Sequence, residues 1–348
     1  MKKFLILFVI ILFVNTINAQ TNVVHIRHGA KLPTNYIKYF LPKTEIVLEV
    51  KVKKHIQKAG RFANYSKRLL ELNNIVATDK SFFTIESVEA YDRHIPDSAK
   101  QYAVEINLKS TAYKIKTDYQ GIIQTININE SREPSILNIP QVEPIDTAIS
   151  FDYSLLGEEA LAATTEEKMA EFAAKQILNI RDSRIYLLTG EDERNYDGES
   201  LKQILDKLDE TERKLTELFT GKMVYYIETK IFRVSPSVAV DNEVFARFSQ
   251  TLGIVDRDDY VGEPLYLSVK PTDIPQNDIS KDKTKKFGIY YNVTAKANVE
   301  VLFADKILVD KTFTMPQFGY TAFLPAKMFN KPSTAVEFTE YGTIKAIK

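Results

Sequence analysis

Residues 45–53 (Glu-Ile-Val-Leu-Glu-Val-Lys-Val-Lys) alternate between apolar and charged positions after Val47. A two-residue period predicts a strand with one buried face. The period then changes. After Gly60, the residues Phe62, Tyr65, Leu69 and Leu72 recur at three- and four-residue steps and predict a short helix. Strands are expected again near 81–90 and 101–108. Residues 114–128 read as a hairpin turning on Asp118-Tyr119-Gln120-Gly121. Pro134, Pro140 and Pro144 interrupt 132–146, which reads as a linker.

The centre is helical. Residues 157–189 are rich in Ala and Glu, with Met169, Phe172, Ala173, Ile177 and Ile180 along one face. Asp197 is placed to cap a second helix carrying Leu201, Ile204, Leu208, Leu215 and Leu218, and Gly221 to end it. The short connection predicts an antiparallel hairpin. Strands return at 223–234, 264–270, 287–294, 298–304 and 306–313. Ala304-Asp305-Lys306 is the turn between the last two, and a final hairpin lies around Glu340-Tyr341-Gly342.

Two stretches of the chain read alike. Phe62-Ala63-Asn64-Tyr65-Ser66-Lys67-Arg68-Leu69 and Phe245-Ala246-Arg247-Phe248-Ser249-Gln250-Thr251-Leu252 share the pattern F-A-x-[YF]-S-x-x-L. Val47 to Val52 resembles Tyr226 to Ile231, and Ile115 to Ile126 resembles Phe338 to Ile347. One unit used twice is the expectation, with 62–72 and 245–252 as equivalent helices. The fold class expected is α+β: two related β-rich, sandwich-like modules bridged by an antiparallel helical hairpin. The boundaries are 1–19 for a signal peptide, 20–35 for a flexible mature N-terminus and 36–131 for a first β-rich module with a short helix. A Pro-containing linker at 132–156, the hairpin at 157–221 and a second β-rich module at 222–348 follow.

The N-terminus carries processing information. Lys2 and Lys3 precede an unbroken apolar run of 11 residues, Phe4 to Val14, and Ala19 is a small residue at the expected cut. The run falls short of the ~18–20 residues that span a bilayer. Cleavage after Ala19 and export to the periplasm or cell envelope is the expectation. There are no cysteines, so disulfides, thiol catalysis, zinc–cysteine sites and a lipidated cysteine are excluded. Lys plus Arg and Asp plus Glu both number 46, giving no basic bias toward nucleic acid.

Few strings carry chemistry. Arg27-His28-Gly29 after an apolar run resembles the histidine-phosphatase motif, which implies His28 as nucleophile and Arg27 as phosphate clamp. That mechanism also needs a second histidine beside an acid late in the chain, and the four histidines (25, 28, 55 and 94) provide none after 94. No glycine-rich phosphate loop and no G-x-S-x-G elbow occur. Catalytic, cofactor-binding and metal-ligating residues are therefore expected to be none, and no cofactor is implied. Asp97-Ser98-Ala99 and Asp146-Thr147-Ala148 resemble the short O-glycosylation signal of Bacteroidota envelope proteins, with Ser98 and Thr147 as acceptors in loops. Asn64-Tyr65-Ser66, Asn129-Glu130-Ser131 and Asn292-Val293-Thr294 have the form of N-glycosylation sequons.

Strings along nearly the whole mature chain resemble an uncharacterised family of exported Bacteroidota proteins, a domain of unknown function. They include Tyr39-Phe40-Leu41-Pro42-Lys43-Thr44, Gly60 to Tyr65, Leu156 to Leu161, Asp197 to Leu201, Leu215 to Gly221, and Gln317-Phe318-Gly319 with Leu324-Pro325. The resemblance implies envelope location and this layout, and no catalytic residues. The function expected is a non-enzymatic binding or structural module for a protein, glycan or cell-wall partner. The alternative is a hydrolase with its site between the modules. No nucleic acid and no membrane span in the mature chain are expected.

Overall fold

A computed structural model describes residues 23–105, 114–128, 148–189, 196–276, 288–325, 328–329 and 334–348. The fold is α+β, built from β-rich modules and a few helices. Its backbone is a long ribbon of two strands, β2 (Tyr36–Lys58) and β3 (Lys80–Glu105), paired antiparallel from Tyr36↔Glu105 to Gln57↔Lys80. β1 (Val23–His25) pairs with β3, and β6 (Lys222–Val234) pairs with β2 on the other side. This is sheet A, of four strands in the order β1-β3-β2-β6.

A second ribbon, β10 (Gly288–Phe303) and β11 (Lys306–Pro325), turns through Ala304 and Asp305, both at positive φ. That is the two-residue turn whose twist matches paired strands. With β7 (Val240–Ser249), β8 (Gly253–Val255) and β9 (Glu263–Asp273) it forms sheet C, in the order β11-β10-β9-β7-β8. Short hairpins β4 (Ile115–Thr117) with β5 (Ile123–Ile126) and β12 (Val336–Phe338) with β13 (Ile344–Ile347) join through β5–β12 into sheet B.

Three cores lie along the β2–β3 ribbon. Ile46, Leu48, Val50 and Val52 of β2 pack against Leu265, Val269, Val299 and Val301 of sheet C. These are the even positions of the alternating stretch, and they give a sandwich of two sheets. Nearer the start of β2, Tyr39 and Leu41 join Tyr102, Ile289, Leu324 and the sheet B residues Ile123, Ile126, Val336 and Phe338. Beyond its far end, Phe62 and Leu70 join Ala170, Ala173, Ile177, Leu215, Leu218 and Phe219. Both β-rich cores draw strands from both halves of the chain: β2 pairs with β6, and β5 with β12.

The helices follow the sequence in outline. α1 (Ser66–Leu70) continues a 3-10 turn at Ala63–Tyr65. The stretch expected as one helix from 157 is broken into α2 (Glu158–Leu161) and α3 (Glu166–Thr189), with Thr165 Oγ1 accepting the Lys168 N–H at 3.3 Å. α4 (Gly198–Thr220) starts at Asp197, whose Oδ1 accepts the N–H of Glu199 and Ser200 at 3.0 and 2.8 Å, and ends at Gly221 with φ +74°. Only the base of the hairpin is core. Leu215 and Leu218 are fully buried, while Leu201, Ile204 and Leu208 are half-buried.

Other expectations also differ from the structure; among them, the strands expected at 287–294 and 298–304 are the single strand β10. Residues 245–252 are not a helix: Phe245 to Ser249 are the end of β7, paired with β8 and β9. Val23–His25, expected within a flexible terminus, is a strand, because Val23 reaches the second core and His25 stacks on Tyr102. The strands expected at 81–90 and 101–108 are one strand, whose break in pattern is a bulge. Most of the 132–156 linker lies outside the described residues.

Candidate functional site

The concentration of polar side chains lies where both ribbons bend, between the two β-rich cores. In the first ribbon Phe40 faces Gln101 and Pro42 faces Pro96, so Asp97 to Lys100 bulge opposite Leu41 alone. In the second, Val293 faces Tyr320 and Ala295 faces Met315, so Pro316 to Gly319 bulge opposite Thr294 alone. Bulges bend and twist a strand, which lets each ribbon leave one core and enter the next. The opposed prolines sit at such an irregularity because they have no N–H for the ladder.

Each bulge sends a side chain to the other ribbon. The Gln317 carboxamide imitates a strand residue. Its Oε1 accepts the Thr44 N–H at 3.0 Å and its Nε2 donates to the Thr44 carbonyl at 2.7 Å. The Thr44 hydroxyl donates to the Thr314 carbonyl at 2.7 Å. Lys100 Nζ donates to Asn292 Oδ1 at 3.3 Å. Burial pushes this amine below the usual lysine range, and the Asp97 carboxylate opposes that shift. Asn292 Nδ2 donates to the carbonyls of Pro42 and Tyr341, both at 2.9 Å, so one fully buried amide joins β2, β10 and the β12–β13 turn. Burying it is tolerable because its donors and acceptor are all used.

Phenols surround this junction. Tyr341 donates to Asp92 Oδ2 at 3.0 Å, and the His94 ring meets Tyr341 edge-on, with 4.5 Å between centroids. Burial and then the Asp92 charge push the Tyr341 phenol up to about 12. Tyr102 stacks between His25 and Tyr290 at 4.9 and 4.5 Å, and burial pushes it up to about 12 as well. Tyr39 is fully buried and held well above the ordinary range by burial; its hydroxyl accepts the Tyr290 N–H at 2.9 Å. These phenols are protonated at physiological pH, and their hydrogen bonds go to the Asp92 carboxylate, the Thr321 side chain and the Tyr290 backbone. Such an arrangement fastens two cores together. No nucleophile–base pair among them converges on an open position of the kind a reaction needs.

The expected site residues fall as follows. Ser98 is exposed on the first bulge, inside β3, with Asp97 Oδ1 accepting the Ala99 N–H at 3.0 Å. Thr147 and Ala19 lie outside the described residues. The sequon residue Asn292 is buried and structural, whereas Asn64 is exposed. His28 and Arg27 are exposed, and the Arg27 Nε–H donates to His25 Nδ1 at 2.6 Å. His55 stacks on Phe82 and His94 meets Tyr341 edge-on, so each is occupied elsewhere. Among the described residues no group of three or more His, Asp or Glu side chains is placed to hold a metal ion. Sequence reasoning passed over Lys100, Gln317 and Tyr341. Gln317 carried a signal: it stands before Phe318-Gly319 in a string with no periodic role.

Exposed apolar side chains fall close together along the chain in two elements, among other exposed positions. One is the outer half of the helical hairpin, where Ile185, Tyr186 and Leu188 of α3 face solvent, Leu188 at 63 %. The other is β6, treated below. No helix among the described residues is long and apolar enough to cross a membrane.

The family model of a domain of unknown function, DUF4831, matches residues 35–345, and the chain belongs to that family. No curated protein and no solved structure matches the chain.

Proposed function

We propose that this member of the family is an exported cell-envelope protein that binds a partner without catalysis, its helical hairpin serving as the binding arm. The observation behind this reading is the contrast along α3 and α4. Leu215, Leu218 and Phe219 at the base are fully buried, whereas Ile185, Tyr186 and Leu188 stand in water. An apolar helix face that stands in water is a common mark of a protein-interaction surface. A photo-crosslinking residue at Tyr186 should capture a specific envelope protein in cells, and Leu188→Lys should abolish the adduct. Crosslinking that persists in Leu188→Lys, or none at all, overturns the reading.

Export rests on Lys2, Lys3 and the apolar run ending near Ala19. Mass spectrometry of the mature protein should find Gln20 at its N-terminus, and an intact residue 1–19 segment would refute cleavage. The exposed position of Ser98 supports glycan attachment there. A mass increment on the peptide containing Ser98, lost in Ser98→Ala, is the expected result. The chain also reads as a duplicated unit, with Ile115–Ile126 and Phe338–Ile347 as corresponding segments.

A further inference from the structure

Among the described residues β6 is one of the long strand edges that have no strand neighbour. β6 is outermost in sheet A and pairs with β2 along its whole length, from Lys58↔Lys222 to Ile46↔Val234. Its other edge presents a row of backbone donors and acceptors, a ready template for another strand. The strand is also apolar where it is most exposed: Met223, Val224, Tyr225 and Ile227 all face solvent, Tyr225 at 62 %. Its even-numbered residues turn toward sheet C. Phe232 and Val234 pack on the first core there, and Lys230 Nζ donates to the Ile254 carbonyl at 2.5 Å. Its odd-numbered residues turn outward, where Tyr225 lies beside His55 and under Lys53.

We propose that β6 is a homodimer edge, pairing antiparallel with β6 of a second copy about a two-fold axis at Thr229. The register follows from charge. In a symmetric antiparallel pair, facing residue numbers have a constant sum. That sum must be even, because alternate residues spend their N–H and C=O on β2. The axis therefore passes through a single residue. An axis at Glu228 or Lys230 sets like charges opposite each other. An axis at Ile227 buries Glu228 against Tyr226 and Lys230 against Val224. An axis at Ile231 sets them against Val234 and Phe232. An axis at Tyr225 leaves half the strand unpaired, and one at Tyr226 sets Lys230 against Lys222. With the axis at Thr229, Glu228 faces Lys230 of the second copy, and the pair occurs twice. Ile227 then faces Ile231, Tyr226 faces Phe232 and Tyr225 faces Arg233. Charges that repel an arbitrary strand thus admit one partner in one register. The two four-stranded sheets A become one continuous sheet.

The test uses sedimentation of the full-length mature protein at micromolar concentrations. The parent should sediment as a dimer, and Glu228→Lys and Lys230→Glu should each sediment as a monomer with the parent's melting point. Mixing the two variants should restore the dimer, because each swapped charge then meets its complement. The chain has no cysteine, so Thr229→Cys on the axis should form an intermolecular disulfide under mild oxidation. Tyr225→Cys, facing residue 233 of the second copy, should not. A monomeric parent overturns the proposal, as would a dimer indifferent to both charge swaps. A sedimenting dimer in which Thr229→Cys does not crosslink overturns the register.

Discussion

The two ribbons meet the same geometric demand with different chemistry. Both bend at a four-residue bulge opposite one residue, and both are closed by a short hairpin with a glycine at positive φ, Gly121 and Gly342. The carbonyl of each glycine accepts a backbone N–H from its own ribbon: Phe40 to Gly121 at 2.9 Å and Asn292 to Gly342 at 2.8 Å. The bulge contents then diverge. Pro316 to Gly319 is packed and spends Gln317 on the backbone of β2. Asp97 to Lys100 leaves Ser98 and Ala99 in water and contributes one weaker bond through Lys100. One bulge is a weld and the other is an accessible surface held by the same fold. Position in the backbone therefore does not decide what a bulge does; its side chains do.

The sharpest way to break this comparison is at Gly319. A Cβ there would lie 1.8 Å from the Val293 carbonyl oxygen. Gly319→Ala should cost more than about 4 kcal/mol, read as a lowered urea midpoint or as failure to fold. Ala99→Ser, in the exposed bulge, should move the midpoint within experimental error. The closing glycines should differ by less. At Gly342 a Cβ meets Pro42 Cδ at 2.6 Å, whereas at Gly121 it meets only the Phe40 ring at 3.1 Å. Gly342→Ala should cost about 3 kcal/mol and Gly121→Ala about 1 kcal/mol, the second being mainly the cost of the left-handed backbone. Equal losses in chemical denaturation would mean that the two hairpins sit equally tightly on their ribbons.

Side-chain truncations should have smaller effects. Gln317→Ala strands the N–H of fully buried Thr44 and leaves its carbonyl only the Ser235 hydroxyl at 3.4 Å, and should cost about 1–3 kcal/mol. Lys100→Met leaves the buried Asn292 Oδ1 without this donor but also removes a desolvated charge, so the two effects offset and the loss should be about 1 kcal/mol, below that of the Gln317 variant. A Lys100 variant as damaging as the Gln317 variant would make both bulges welds. The subtlest test is alkaline pH. Tyr102 of β3 and Tyr341 of the β12–β13 turn have folded values of about 12 against an ordinary 10.0. The unfolded chain gives up these protons first. The stability they contribute is therefore complete below pH 10 and is lost as pH rises from 10 toward 12. Tyr102→Phe and Tyr341→Phe should each flatten that part of the stability curve. An unchanged slope would mean that neither phenol is kept from water.

Local rules were enough for many turns, caps and strands. The alternation of Ile46 to Val52, the turns at Asp118–Gly121 and Ala304-Asp305, the Asp197 cap and the Gly221 stop all appear where sequence reasoning put them. Each depends on neighbours within a few residues. The bulges were illegible because they concern what faces a strand, and no local pattern says that Leu41 must oppose four residues. The wetness of Leu208 was hidden for the same reason: periodicity marks an apolar face and is silent on how far its partner extends.

The F-A-x-[YF]-S-x-x-L pattern separates what the chain alone determined from what the tertiary structure decided. By itself the sequence set the apolar content and spacing of both copies, and with it their burial: Phe62, Ala63, Ala246 and Phe248 are all core residues. It could not set their backbone, because eight residues of this composition suit either period. In the first copy the end of α4 decides. The Phe62 N–H donates to the Leu218 carbonyl at 2.8 Å, and the Ser66 hydroxyl donates to the Phe219 carbonyl at 2.7 Å. With its polar groups met there, the segment coils into a helix. In the second copy β8 and β9 lie on either side with open ladders, and Phe245 to Ser249 extends between them. Buried backbone groups must find partners, and only the fold brings the partners.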